Sequence, residues 1–196
     1  RLLTATGDAI YQEHEGAAWR EDEAVRLSVT LQDDEAIYGS GERAHDLNLR
    51  GRRVTLWNWD PAGYQRGDDP IDYSIPFVIG LHAGGMYGLL WDNSSRGWLD
   101  MGAERSDELV FQNEAGPMTY YLFGGQSLKA ILNRYTELTG RMQLPPRWAI
   151  GYHQSRYSYY PESDVLNIAH ELRNRQIPCD AIYLDIGAQA QVNGQN

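Results

Sequence analysis

Cysteine is almost absent from this sequence: 196 residues carry one, Cys179. A lone cysteine excludes an internal disulfide and a cysteine-based zinc site. It follows a proline and precedes an apolar run, where a thiol reads as a small packed side chain rather than a reactive group. Long apolar runs are also missing; none could cross a bilayer, and the mean hydropathy is -0.55. A soluble chain is expected. Positive charge is short too, with 17 Lys and Arg against 27 Asp and Glu and a formal net charge of -10. That balance argues against nucleic acid or an anionic membrane as partner and suits a neutral substrate. There is no signal-peptide pattern, which points to the cytoplasm, and no internal repeat or low-complexity tract. The chain opens on Arg1, Leu2 and Leu3 without an initiator methionine, so an earlier segment is expected to have been removed.

Tyrosine and tryptophan are plentiful. There are 13 Tyr and 6 Trp against only 3 Phe. Rings with a polar handle stack on sugar faces while hydrogen-bonding to them, although β-sandwiches use the same residues freely. With 42% hydrophobic residues the chain can bury a sizeable core. Short alternating runs at 1–11, 25–30, 51–58, 74–79, 86–92, 108–112 and 118–123 predict strands, with a Gly84-Gly85 hairpin turn between two of them. Their spacing predicts an antiparallel β-sandwich. Residues 36–42, Ala-Ile-Tyr-Gly-Ser-Gly-Glu, predict a tight bend where backbones approach closely, with Glu42 and Arg43 as an ion pair. Between Trp57 and Tyr73 the pattern gives way to a long loop rich in turn residues, with Trp57, Trp59 and Tyr64 on it. Asp60 precedes Pro61 there, a position suited to an Asx-type turn. Ser127 is an N-cap ahead of an apolar stripe formed by Leu128, Ile131, Leu132, Tyr135 and Leu138, and Gly140 ends that helix.

Residues 144–186 change character. Residues 148–152 form a short apolar run behind Pro145 and Pro146 and predict a buried strand. Residues 153–160 are polar and aromatic and predict a loop. A helix follows from Pro161, with Glu162 and Asp164 in its first turn and Val165, Ile168, Ala169 and Leu172 at helical spacing. Pro178 prevents its continuation, and 181–184 predict a second buried strand ending on Asp185. This is a β-α-β unit with polar groups just past the C-terminal ends of its strands, where parallel α/β folds bind ligands.

Leu-Pro-Pro-Arg-Trp-Ala-Ile-Gly-Tyr-His-Gln-Ser-Arg-Tyr-Ser-Tyr, from Leu144, resembles the opening barrel strand of the α-glucosidase family of retaining glycoside hydrolases, family thirty-one. Ile-Pro-Cys-Asp-Ala-Ile-Tyr-Leu-Asp-Ile, from Ile177, resembles that family's second barrel strand. The resemblance implies an N-terminal β-sandwich with its terminal linker helix over 1–143, then the start of a (β/α)8 TIM barrel over 144–186. It implies substrate binding by Asp60 on a sandwich loop that reaches over the barrel mouth. It also implies that Tyr157 lines the first sugar subsite and that Asp185, with Ile186 beside it, hydrogen-bonds the hydroxyls of the non-reducing glucose. His153 and Arg156 are expected to buttress the loop. Such enzymes work with two carboxyl groups, so no metal and no cofactor are expected. Both carboxylates come from later barrel strands in the family, so no catalytic residue is assigned within this chain.

The likeness weakens after Ile186. The family continues with a second aspartate and aromatics, whereas residues 187–196 are small, polar and uncharged and predict a disordered tail. Two readings stand. One is the N-terminal portion of a retaining α-glucosidase-type hydrolase acting on α-linked gluco-oligosaccharides or related α-glycosides, inactive by itself, with room for a homo-oligomer. The other is a catalytically silent carbohydrate-binding or structural fragment.

Overall fold

A computed structural model describes residues 1–157 and 159–185; Ile186 and the predicted tail lie outside the described residues. The chain divides into a unit Arg1–Gly140 and a second beginning at Arg141. In chain order the strands of the first are β1 (Leu2–Leu3), β2 (Ala9–Tyr11), β3 (Glu13–Glu21), β4 (Ala24–Thr30), β5 (Ala36–Gly41), β6 (Arg53–Leu56), β7 (Ser74–His82), β8 (Gly85–Trp91), β9 (Gly97–Met101), β10 (Glu108–Asn113) and β11 (Tyr120–Gly124).

Alternation is clearest in β4, where Val25, Leu27 and Val29 all point to one side and are fully buried. Their face belongs to an antiparallel five-stranded sheet ordered β3-β4-β10-β9-β6, and Leu99, Met101, Leu109, Phe111, Val54 and Leu56 continue it. Opposite stands a four-stranded antiparallel sheet, β11-β8-β7-β5, contributing Ile37, Val78, Tyr87, Leu89 and Trp91 to the same core. Two inner apolar faces pressed together make a β-sandwich. Inside it, the Trp91 indole donates to Asn113 Oδ1 at 2.8 Å, and the Tyr87 hydroxyl donates to Glu35 Oε1 at 2.7 Å. The other Glu35 oxygen accepts the Gln32 amide at 2.9 Å. Burial raises the Glu35 carboxyl above its ordinary range and raises the Tyr87 phenol as well.

The outer face of the four-stranded sheet is apolar as well. Phe77, Ile79 and Phe123 meet Ile131 of α1 (Leu128–Thr139), and the Tyr135 ring stacks on Phe77 at 4.0 Å. Gly88 makes that approach feasible, because a Cβ there would sit 2.7 Å from Ile131 Cγ2. Ser127 caps the helix as expected, its Oγ accepting the Ala130 amide at 3.2 Å, and Gly140 closes it. Only part of the expected stripe packs: Ile131 is fully buried, while Leu128, Leu132 and Leu138 are exposed.

The strands differ from expectation in four places. β3 and β9 appear where no strand was predicted, β5 runs where only a tight bend was expected, the expected strand over 1–11 is a ribbon of β1 against β2, and the hairpin turn is Ala83-Gly84, since Gly85 already pairs with His82. On one open side of the sandwich, the Tyr120 hydroxyl of β11 reaches Glu13 Oε1 of β3 at 2.6 Å, and Tyr11 donates to the same oxygen at 3.2 Å. That bond, with burial, pushes the Tyr120 phenol up to about 12.

The second unit contains a short 3-10 helix (Arg147–Ile150), β12 (His153–Gln154), α2 (Glu162–Asn174) and β13 (Ala181–Ile182). β12 and β13 pair in parallel, His153 with Ala181 and Gln154 with Ile182, as a β-α-β unit requires. The first strand is displaced from its expected place. Residues 147–150 coil behind Pro146 with Trp148 and Ile150 exposed, and the ladder starts only at His153. The second strand is two residues long and half-buried rather than buried, with Tyr183 and Leu184 exposed. Among the described residues no helix is long and apolar enough to cross a membrane.

Candidate functional site

The parallel pair fixes one end of the second unit. Tyr157 follows the end of β12, and Asp185 follows the end of β13, so the backbone sends both to the C-terminal side of the same ladder. Both are exposed, Tyr157 at 71%. His153 is held from two sides. One ring nitrogen lies 3.0 Å from the Trp148 carbonyl oxygen and the other 3.1 Å from the Tyr183 hydroxyl, and its ring stacks on Trp148. It therefore braces the segment between the 3-10 helix and the exit of β13. The Arg156 guanidinium lies 5.7 Å from the Tyr159 ring centroid, also within the loop. Ile186 lies outside the described residues. The Cys179 thiol is half-buried and donates to the Ala181 carbonyl oxygen at 3.3 Å.

Asp60 belongs to the first unit. It lies on the loop that leaves β6 at Leu56 and returns at Ser74, beside Trp57, Trp59 and Tyr64, all exposed. The expected ion pair of Glu42 with Arg43 does not form. Arg43 pairs instead with Asp69 of this loop at 2.8 Å, while Glu42 accepts the Tyr64 hydroxyl at 3.4 Å. Glu42 falls in the bend that follows β5, and the Arg43 side chain folds back onto Ser40 and across to the loop, which separates neighbours that look paired on paper.

Arg43 is the hub that the sequence did not reveal. Its Nε donates to both Ser40 oxygens at 3.1 Å, Nη1 to the Thr55 carbonyl at 3.0 Å and to Asp69 Oδ1, and Nη2 to Ser74 Oγ at 2.9 Å. Asp69 Oδ2 accepts the Thr55 amide at 2.6 Å. Burial lowers the guanidinium from its usual range, and Asp69 opposes that shift. The expected tight bend supplies the backbone for this hub. Gly39 and Gly41 have φ of 109° and 89°, the ladder to β7 slips between them, and a Cβ on Gly39 would stand 2.6 Å from the Phe77 carbonyl oxygen.

Beside the foot of the loop lies a cleft of about 570 Å³, lined by Trp57, Asn58, Ser74, Asp92, Asn93 and Tyr135 among others. Its size suits a small ligand, but it holds no charged constellation beyond Asp92. Among the described residues no group of His, Cys, Asp and Glu has the arrangement of a metal site.

Comparison with known proteins places these elements. Residues 2–100 match the glycosyl hydrolase 31 N-terminal galactose mutarotase-like domain, and residues 142–194 match the TIM-barrel domain of glycosyl hydrolases family 31. The second match runs past Ile186, where the likeness read from the motifs stops. Alpha-glucosidase 2 of Bacillus thermoamyloliquefaciens is 39% identical over 95% of this chain and 23% of its own length. The alpha-xylosidase XylQ of Lactiplantibacillus pentosus is 32% identical over 93% of this chain and 24% of its own. Among solved structures, a mutant of the Flavobacterium johnsoniae GH31 dextranase complexed with isomaltotriose superposes with a TM-score of 0.87. It is 34% identical, with 94% of this chain and 22% of that one covered. The chain thus spans less than a quarter of each of these relatives. With both domain descriptions matched in order along its length, the chain belongs to glycosyl hydrolase family 31.

Proposed function

We propose that this chain is the N-terminal portion of a retaining hydrolase of α-linked glucosides, with its nucleophile and its acid/base supplied by barrel strands beyond these residues. The observation that carries the reading is the parallel β12–β13 pair, which puts Tyr157 and Asp185 past the C-terminal ends of adjacent strands. That is the side on which barrel enzymes bind substrate. Asp185 is assigned the sugar hydroxyls: a carboxylate accepts two at once, and a site built that way discriminates strongly between sugars. Tyr157 is assigned the wall of the subsite, Ile186 the packing beside Asp185, and Asp60 a further sugar contact. Names of relatives favour a glucoside or a xyloside as substrate, since both α-glucosidases and an α-xylosidase are similar to this chain. Retention needs two carboxyl groups about 5–5.5 Å apart and no cofactor. A single thiol fits a reducing compartment, and a cytoplasmic location belongs to the same reading.

Asp185→Asn in the intact hydrolase tests it. The change keeps the shape and replaces an acceptor of two hydroxyls by a mixed donor and acceptor. A hydrogen bond to a charged group is worth about 1.5–3 kcal/mol, so kcat/KM should fall roughly ten- to a hundredfold. Melting temperatures taken alongside separate this from unfolding. A kcat/KM within about twofold of the unmodified enzyme removes Asp185 from the sugar.

A further inference from the structure

We propose that Arg43 and Asp69 form a clasp that positions the loop between β6 and β7, and through it Asp60; the proposal rests on the reading of Asp60 as a sugar contact. The loop leaves the edge of one sheet and returns in the other, so its two feet belong to different layers of the sandwich. One guanidinium holds both feet. It binds Thr55, just before the loop departs, Ser74, where it returns, and Asp69, inside it. The group is sealed in: the Arg43 side chain is 4% exposed and that of Asp69 15%. A buried charge pair is a costly way to fasten a loop, and leaving either partner alone is costlier still.

Two bonds zip the neck above the clasp, and a third ties the far limb of the loop to the segment after β5. The Ser74 amide donates to Asn58 Oδ1 at 2.8 Å, the Trp59 amide to the Ile71 carbonyl at 3.3 Å, and the Gly67 amide to the Ala44 carbonyl at 2.7 Å. Asp60 is the next residue after Trp59, at the point where the zipped neck ends. A closed base under an exposed tip bearing Trp59, Asp60 and Tyr64 is a pre-organised contact: the ordering cost is met on folding rather than on binding. Lysine cannot replace Arg43, because an ammonium offers three donors at one point and the acceptors here are spread around a planar fork. Arg43 and Asp69 are positioning residues; neither is assigned to the sugar.

Two measurements on Arg43→Lys and Asp69→Asn decide the matter. In the 196-residue chain, amide exchange at Thr55 and across residues 57–73 should speed up about tenfold or more while β8 and β10 keep their protection. In the intact hydrolase, KM should rise about tenfold with kcat within about threefold, because binding rather than chemistry loses its preset loop. Should either variant fail to fold, Ser74→Ala removes one of the clasp's hydrogen bonds, keeps the ion pair, and should shift both readouts the same way to a smaller degree. Unchanged exchange in the loop overturns the clasp whatever the kinetics. A raised KM in Asp60→Ala without one in Arg43→Lys also overturns it as a positioning device. A silent Asp60→Ala with faster loop exchange in the clasp variants leaves the clasp standing as a fastening, and removes both its positioning role and Asp60 from the sugar.

Discussion

Glu35 is a carboxylate 3% exposed in a hydrophobic sandwich, and each of its oxygens accepts one hydrogen bond, from Tyr87 and from the Gln32 amide. Those bonds and the nearby Arg50 and His82 favour the ionised form, yet burial outweighs them and the carboxyl stays above its ordinary range. The folded state therefore favours protonated Glu35. Its contribution to stability is fully present below the unfolded value and is lost as pH rises through the raised one. Glu35→Gln removes that dependence. The variant's melting temperature minus that of the unmodified chain should grow as pH rises above the ordinary carboxyl range, followed by calorimetry in a series of buffers. A constant difference across that series would show that Glu35 titrates alike in both states. The same scale shows how far single residues could be read in advance. Ser127 announced itself because a cap acts on its own neighbours, whereas the Arg43–Asp69 pair joins residues far apart in sequence, and the adjacent Glu42 offered a false partner.

At the scale of elements, α1 is the clearest test of what packing contributes. Ile131 alone among its residues is fully buried, while Leu132 beside it is 44% exposed. Ile131→Ala should destabilise the chain by about 2–5 kcal/mol, Ser127→Ala by about 1 kcal/mol, and Leu132→Ala by well under either, measured by urea unfolding. Equal losses at Ile131 and Leu132 would mean that the helix does not sit on the sheet as described. Amphipathic spacing predicted this helix and α2, because helical periodicity is written over many residues. Strands gave less away. β3 carries Glu13, His14, Glu21 and a glycine, pairs on one side only, and slips register between Glu13 and Ala18, so its alternation is broken. The apolar run 148–152 failed for the opposite reason: hydrophobicity signalled burial, but the prolines started a 3-10 turn and left Trp148 half outside. The position of Asp185 past a strand end was legible from the β-α-β pattern, while its role at the sugar came from the resemblance. Asp60 rested on resemblance, since a loop has no period to read.

For the molecule as a whole, the sandwich unit ends where α1 closes at Gly140, and Met142 and Leu144 just beyond are 88% and 94% exposed. Limited trypsin treatment should cut first at Arg141 or Arg147 and leave a fragment that keeps its folded β-sandwich spectrum, since cleavage follows exposed, weakly bonded backbone. First cleavage inside β8 or β10 would contradict the two-unit division. Sandwiches have open sides, and here each is closed by a polar side chain: Tyr120 to Glu13 on one, Arg43 to Thr55 on the other. The strands along those sides are also marked. β3 and β5 slip register, β6 is four residues long and begins with Arg53, and β11 is five residues long. A sheet edge is a template on which another chain can add a strand, and irregular, short or charged edges refuse that addition. The irregular and short strands that border this lacing thus also guard the unit against edge-to-edge aggregation, an exposure it meets whenever it is made, stored or cleaved free of the rest.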